Sequence, residues 1–299
     1  QFKKDGYHLN ANKTWRASCK IGNTIKYYGI NAEGEYGWYK YSELKEFYCF
    51  KNGEQNLVNL YVDQNNAKVY MHAYWQPNTY KVYYCGNGAN GQTYGTIGLP
   101  ENCLVDSDKC ICGDFCDQTL WKYDTEEKLV ANKFVKTGYT FLGWRAYDTD
   151  TDKWYGYSKS NVLGWYTKAE ISKYYTFNDS QSVKNLSAKK DDIVYMVAQW
   201  TPIPYYIKYN ANGGTGNMSS GALSSTLSGY ETNTSLYYDK EYYLKPNTFS
   251  CGSRDFVGWR LSNESNKWYG TKNNIVGWYS LTDFTNGNAD YIDFENTTL

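Results

Sequence analysis

The sequence predicts a mainly β chain with short helices, of the α+β class, built as three tandem copies of one unit. Three observations predict it. The segment Gly143-Trp144-Arg145, Lys153-Trp154-Tyr155-Gly156 and Gly164-Trp165-Tyr166 recurs as Gly258-Trp259-Arg260, Lys267-Trp268-Tyr269-Gly270 and Gly277-Trp278-Tyr279, and self-similarity of this kind marks a repeat architecture. A degenerate copy, Thr14-Trp15-Arg16, Lys26-Tyr27-Tyr28-Gly29 and Gly37-Trp38-Tyr39, opens the chain, with Tyr27 in place of a Trp. Next, Val69-Tyr70-Met71-His72-Ala73-Tyr74-Trp75 matches Val194-Tyr195-Met196-Val197-Ala198-Gln199-Trp200, with Val, Met, Ala and Trp at every second position. That spacing is one face of a strand. Finally, a helix start follows each Gly-Trp-Tyr: Thr167-Lys168-Ala169-Glu170 is a capping box, Ser280-Leu281-Thr282-Asp283 resembles one, and Ser42 caps the first copy.

In chain order the unit is therefore a set of strands, one short helix and a closing strand. Trp75 and Trp200 are expected to face a core, because the rest of their period-2 face is apolar. Each is followed by a proline, Pro77 or Pro202, and then by the opening strand of the next copy, at Tyr80 to Tyr84 or Tyr205 to Tyr209. Those prolines set the expected boundaries at residues 1–77, 78–202 and 203–299. The first copy lacks its opening half. The third lacks a recognisable closing strand, since nothing after Tyr279 matches Val194 to Trp200. Only the second carries a cysteine-rich loop, over residues 85–121.

Composition supports a folded chain of unusual core chemistry. The 299 residues hold 31 basic and 31 acidic side chains, so the formal net charge is zero and a phosphate-binding surface spread over the protein is disfavoured. Nucleic acid is not an expected partner. With 34 Tyr and 11 Trp, amphipathic rings supply the buried area that aliphatic side chains normally would. No stretch approaches the roughly eighteen apolar residues of a membrane span, and the chain starts at Gln1 as a processed or excised fragment would. The expectation is a soluble, secreted protein.

Cysteine usage agrees with that compartment. The eight cysteines are Cys19, Cys49, Cys85, Cys103, Cys110, Cys112, Cys116 and Cys251. A zinc site would want paired knuckles or nearby histidines. Cys110 and Cys112 are separated by one residue, and His8 and His72 lie in another segment, so disulfides are the expected use of all eight, with connectivity open. The loop from Gly86 to Trp121 has few apolar residues, and crosslinks would give it the rigidity a core cannot.

Tyr209-Asn210-Ala211-Asn212-Gly213-Gly214, Thr137-Gly138-Tyr139-Thr140-Phe141-Leu142-Gly143-Trp144 and Tyr195-Met196-Val197-Ala198-Gln199-Trp200-Thr201-Pro202 resemble the start, middle and end of the Listeria-Bacteroides repeat, the internalin B-repeat. The resemblance implies β-grasp-like, ubiquitin-like modules in tandem on bacterial cell-surface and secreted proteins, adhesive or spacing in role and without catalysis. The chain departs from the family by inserting, in each copy, the two aromatic pairs and their helix where the family has a short hairpin. Its Asn, Lys and Tyr bias also resembles that of ruminococcal cell-surface proteins, including starch-binding components of amylosomes.

Enzymatic constellations are not evident. Histidine-based nucleophilic catalysis would rest on His8 or His72, and His72 sits on the strand face opposite Met71 and Ala73. The carboxylate run Asp148, Asp150 and Asp152 aligns with the nearly uncharged Ser262-Asn263-Glu264-Ser265-Asn266, so it is not kept between copies. The Asp run lacks the Gly and Glu of a calcium loop, Lys153 and Lys159 standing there instead, and reads as a solvated turn. No catalytic residue, metal or cofactor is expected.

What recurs is aromatic. Trp154-Tyr155, Trp268-Tyr269 and Tyr27-Tyr28 are flanked by Lys, Ser, Asn and Asp, the setting of an exposed loop. Trp165-Tyr166, Trp278-Tyr279 and Trp38-Tyr39 stand before the helix, where one ring packs and the other can be free. Sugar rings present C–H faces that stack on Trp and Tyr while neighbouring polar groups bond their hydroxyls. Rings repeated along an array would bind a polymer by multivalency. The expected partner is thus a polysaccharide, α-glucan foremost, with Trp121 as an extra ring beside the cysteine loop. Alternatives from other classes are an adhesin for a host protein and a structural stalk.

Overall fold

The computed structural model describes residues 2–10, 12–53, 57, 60, 67–90, 105–106, 109–110, 120–224, 232–233 and 235–294. Strand accounts for 48% and helix for 3%, so the chain is mainly β. None of the helices among the described residues is long and apolar enough to cross a membrane. Two compact units are present, residues 1–136 with 141–200, and residues 137–140 with 201–299. The boundary expected at Pro77 falls inside the first unit.

Among the described residues the first unit contains three two-stranded sheets and two large ones. One is five-stranded, from β1 (Trp15–Ile21), β2 (Thr24–Ile30), β3 (Tyr36–Tyr39), β4 (Glu46–Phe47) and β5 (Val69–Ala73). Its order is β3-β2-β1-β5, with β4 also on β2. Ile21 pairs with Thr24, so Gly22 and Asn23 form a two-residue hairpin turn, and Gly22 supplies the positive φ of 57° that such a turn needs. The other sheet is seven-stranded: β6 (Thr79–Cys85), β7 (Trp121–Lys122), β8 (Tyr139–Asp148), β9 (Lys153–Ser158), β10 (Leu163–Tyr166), β11 (Ile171–Tyr174) and β12 (Asp192–Pro202). The order is β7-β6-β12-β8-β9-β10, with β11 on β9. Central strand β12 runs parallel to β6, from Asp192 opposite Tyr80 to Val197 opposite Cys85.

The period-2 reading holds in β12, where Val194, Met196 and Ala198 are fully buried on one face with Tyr80, Val82, Tyr84 and Trp144. Val197 on the other face is buried too, with Cys85 and Tyr147. A strand covered on both faces reads as a near-continuous apolar run, as Ile193 to Ala198 does. Trp200, half-buried, packs against this core and donates from Nε1 to the Gly86 carbonyl at 2.8 Å. The matching strand of the first copy differs from expectation. Its Met71 is 37% exposed, and the strand ends at Ala73, with Trp75 in a separate strand, Trp75–Pro77, paired to Tyr7–Leu9. The reason is position: β5 is the last strand of its sheet, whereas β12 is flanked on both sides.

The expected helices are also corrected. In the first copy a 3₁₀ turn, Tyr41–Glu43, follows Lys40 rather than a Ser42 cap. In the second, Glu170 accepts from the Thr167 amide at 3.0 Å and its hydroxyl at 2.8 Å, and the resulting turn passes directly into β11 without a helix.

The second unit holds, besides a three-stranded sheet around Ala222–Ser224 and the pair Pro204–Tyr205 with Leu236–Tyr237, a three-stranded sheet of β13 (Lys267–Lys272), β14 (Ile275–Ser280) and, after helix α1 (Leu281–Thr285), β15 (Asp290–Tyr291), in the order β14-β13-β15. Here the capping box is formed, Ser280 accepting from the Asp283 amide. A small core gathers Ala222, Leu236 and Tyr242. The opening strand expected from Tyr205 to Tyr209 is shortened to Pro204–Tyr205.

Candidate functional site

The aromatic pairs lie on strands and not on exposed loops. Because a strand turns successive side chains to opposite faces, each pair is split by its sheet. Tyr155 and Trp165 are directly opposite across β9 and β10 and pack against the buried core, while Trp154 joins Cys85, Tyr147 and Val197 on the other face. The geometry is the same in all three hairpins. Ring centroids lie 5.3 Å apart for Tyr28 and Trp38, 5.3 Å for Tyr155 and Trp165, and 5.2 Å for Tyr269 and Trp278. Burial raises the pKa of the Tyr155 phenol, as an apolar setting does for an acid.

A second aromatic element completes each constellation, and sequence reasoning missed it. Phe47-Tyr48-Cys49-Phe50, Tyr174-Tyr175-Thr176-Phe177 and Tyr291-Ile292-Asp293-Phe294 share a ring at the first position and Phe at the fourth. Phe50, Phe177 and Phe294 bridge by backbone to Trp15, Trp144 and Trp259. They also lie 5.9, 5.7 and 6.1 Å from Tyr28, Tyr155 and Tyr269. The glycine of each Tyr-Gly is required here: a Cβ on Gly29, Gly156 or Gly270 would stand 2.3, 2.4 or 2.2 Å from a backbone oxygen of this crossing segment.

On the opposite face the first ring of that element is the hub. Tyr27 meets Phe47 at 5.6 Å, Trp154 meets Tyr174 at 5.6 Å and Trp268 meets Tyr291 at 5.7 Å, all near perpendicular. The arginine of each Trp-Arg lies over the same hub, with guanidinium carbons 4.2 Å from Phe47, 4.5 Å from Tyr174 and 4.3 Å from Tyr291. Arg145 is held below its usual pKa by burial, which Tyr174 opposes. What stands over the candidate ring varies. Tyr147 is opposite Trp154, whereas Ser262 is opposite Trp268.

The remaining expected site residues fall as follows. Trp278 is 42% exposed, while Trp38 and Trp165 are half-buried, Trp38 donating from Nε1 to the Leu60 carbonyl at 3.0 Å. Tyr39, Tyr166 and Tyr279 fold back over the glycine two residues before them. Trp121 is 4% exposed and tilted against Tyr80 in the core, which removes it from the ring platform. Its neighbour in register is Tyr80, so strand pairing, and not the adjacent loop, decides its place.

Three of the disulfide candidates are corrected: Cys19, Cys49 and Cys251 are thiols. Cys19 lies between Lys26 and Val69 in register, and the Cys49 thiol is aimed at the Phe47 carbonyl. Cys85 is fully buried and disulfide-bonded, and its partner is not among the described thiols. Cys103, Cys112, Cys116 and Phe115 lie outside the described residues, and of Cys110 only the backbone, in the strand Lys109–Cys110, is described.

His72 is exposed and shares a hydrogen bond with the Ser18 hydroxyl at 2.6 Å, and His8 shares one with Asn78 at 2.8 Å. Asp148 closes its own turn by accepting from the Asp150 amide at 2.9 Å. Among the described residues no cluster of His, Cys, Asp or Glu could hold a metal ion. The chain matches no family model, no curated protein and no solved structure.

Proposed function

We propose that this chain is a non-catalytic polysaccharide-binding protein of a bacterial cell surface, gripping one polymer at several places. The observation that supports it best is the threefold recurrence of a half-buried ring, Tyr27, Trp154 or Trp268, fixed at right angles to a hub that also carries an arginine. A stacking ring for the C–H face of a sugar beside a fork of donors for its oxygens is the pairing that carbohydrate recognition needs. Repetition multiplies weak contacts. The resemblance to tandem bacterial surface repeats supports the extracellular setting.

Affinity electrophoresis of the purified chain through gels cast with α-glucan, xylan, mannan and acidic polysaccharides tests this reading. Retardation by at least one polymer, reversed by its soluble oligosaccharides, is expected. Free migration in every gel would overturn it. A second reading, an adhesin for a protein partner, is favoured by the apolar pairs Val162-Leu163 and Ile275-Val276, exposed at the start of edge strands just before two of the three Gly-Trp-Tyr segments. Capture of a host protein without any polysaccharide binding would support that reading.

A further inference from the structure

The three hub arginines are not equivalent. Arg260 is satisfied within the chain: its Nε donates to one oxygen of Asp293 at 2.6 Å and its Nη2 to the other at 3.3 Å. That two-point match of guanidinium and carboxylate raises the pKa of Arg260. Asp293 immediately precedes Phe294, and the residues in the same place before Phe50 and Phe177 are Cys49 and Thr176, which carry no charge.

Arg16 and Arg145 consequently have no carboxylate among the described residues. Arg16 is sandwiched between Tyr74, 3.6 Å from its guanidinium carbon, and Phe47, at 4.2 Å. Arg145 lies on Tyr174 alone. Both Nε atoms are enclosed without a hydrogen-bond partner, so a cost of burying polar N–H groups is carried without internal compensation. Both side chains are only partly buried, and the terminal nitrogens form no hydrogen bond among the described residues. Each of these arginines shares its hub ring with a candidate stacking ring, Tyr27 or Trp154, so a stacked sugar and a carboxylate attached to it reach one subsite together.

We infer that the Arg16 and Arg145 subsites recognise a uronic-acid residue of an acidic polysaccharide, its carboxylate taking the place that Asp293 occupies beside Arg260. This rests on the polysaccharide reading and narrows it. The third copy, supplied with its own carboxylate, takes a neutral sugar on Trp268. The contrast between Arg260, paired with Asp293, and Arg16 and Arg145, followed in the same place by Cys49 and Thr176, sets the preference, because the fork geometry of a guanidinium favours a planar two-oxygen acceptor over a hydroxyl.

The test compares polygalacturonate with the same polymer after reduction of its carboxyl groups, by affinity electrophoresis and calorimetry. Wild type is expected to prefer the acidic polymer, and the double variant Arg16→Gln/Arg145→Gln to lose roughly tenfold in affinity for it per arginine, about a hundredfold in all, the size of two lost charge-assisted contacts. Its affinity for the reduced polymer, whose hydroxyls the two arginines bond more weakly than a carboxylate, is expected to fall by much less than its affinity for polygalacturonate. Asp293→Asn vacates Arg260 and is expected to strengthen retention by polygalacturonate, a gain that misfolding could not produce. Equal binding of both polymers, or arginine variants indistinguishable from wild type on polygalacturonate, would overturn the uronate assignment while leaving the polysaccharide reading intact. Binding to no polysaccharide would overturn both. Equally tight binding to polyglutamate would assign the arginines to an acidic protein and overturn the sugar.

Discussion

The Tyr7 hydroxyl donates to the carboxylate of Asp124, joining the strand Tyr7–Leu9 to the turn after β7. Asn185 and Lys184 hold the same carboxylate, the amide of Asn185 at 3.0 Å and the Lys184 ammonium at 3.4 Å. The hydrogen bond from Tyr7, then that from Asn185, lowers the Asp124 pKa from 3.8 to about 2. A carboxylate depressed in the folded state stabilises above its unfolded value and loses that contribution as pH falls through its folded one. The melting temperature of Asp124→Asn is therefore expected to lie below wild type by a constant margin above pH 3.8, and the margin to close as pH falls toward 2. The group is exposed, so added salt shrinks the margin throughout.

Trp154 and Trp268 occupy matched positions but answer differently to truncation. Trp154 lies 4.6 Å from Tyr147 with ring planes 32° apart, and Tyr147 is 1% exposed. Trp154→Ala is expected to cost about 2 kcal/mol in denaturant unfolding, short of the loss for a fully buried ring. Ser262 offers Trp268 no such partner, so Trp268→Ala is expected to cost under about 1 kcal/mol while weakening retention by polysaccharide. Equal stability losses for the two would contradict the difference in their surroundings.

Gly156 tests the crossing segment. A methyl group there would meet the Lys173 carbonyl at 2.4 Å and the Ile171 side chain at 2.6 Å. Gly156→Ala is expected to destabilise by about 3 kcal/mol, since backbone cannot give way as a flexible side chain does. Gly53→Ala, where nothing lies within 4 Å but φ is 77°, is expected to cost less.

Thiol labelling distinguishes the cysteines. Cys49 and Cys251 are partly accessible and are expected to react in the native protein with a thiol reagent. Cys19 is 2% exposed and is expected to react only with unfolding, so that its labelling rate follows denaturant concentration. Prompt reaction of Cys19 would place it outside the core.

Sequence patterning made a strand legible where the same apolar residues recur at every second position of two copies. Val194, Met196 and Ala198 announce β12, whereas the Gly-Trp-Tyr segments, which carry no period-2 pattern, do not announce the strands β3, β10 and β14 that they form. Patterning failed where pairing overrides composition. Lys, Asn and Ser around Trp154 suggested a loop, yet β9 is held on both edges and only its turns are polar. Phe50, Phe177 and Phe294 escaped notice because a ring three residues after another has no period of its own; only their backbone bridges to the Trp-Arg strands reveal a shared role. The arginines stood in plain view as part of the repeat, but what distinguishes Arg260 is a carboxylate more than thirty residues away in sequence, which no local spacing encodes.

The place of β12 between β6 and β8 has a consequence for biosynthesis. The strand made last fills the middle of the sheet, so the seven-stranded layer cannot assemble until the ribosome has delivered the chain as far as Pro202. Contacts of such long sequence separation form slowly, because loop-closure entropy is lost before any pairing compensates it. Meanwhile β6, paired on one side only with the short β7, waits with its other edge open and Tyr80, Val82 and Tyr84 uncovered. A nascent chain of this design spends its vulnerable interval as a bare tyrosine-rich strand, and a holding chaperone or fast translation of the segment up to Pro202 would be the natural protection against sticking to its neighbours.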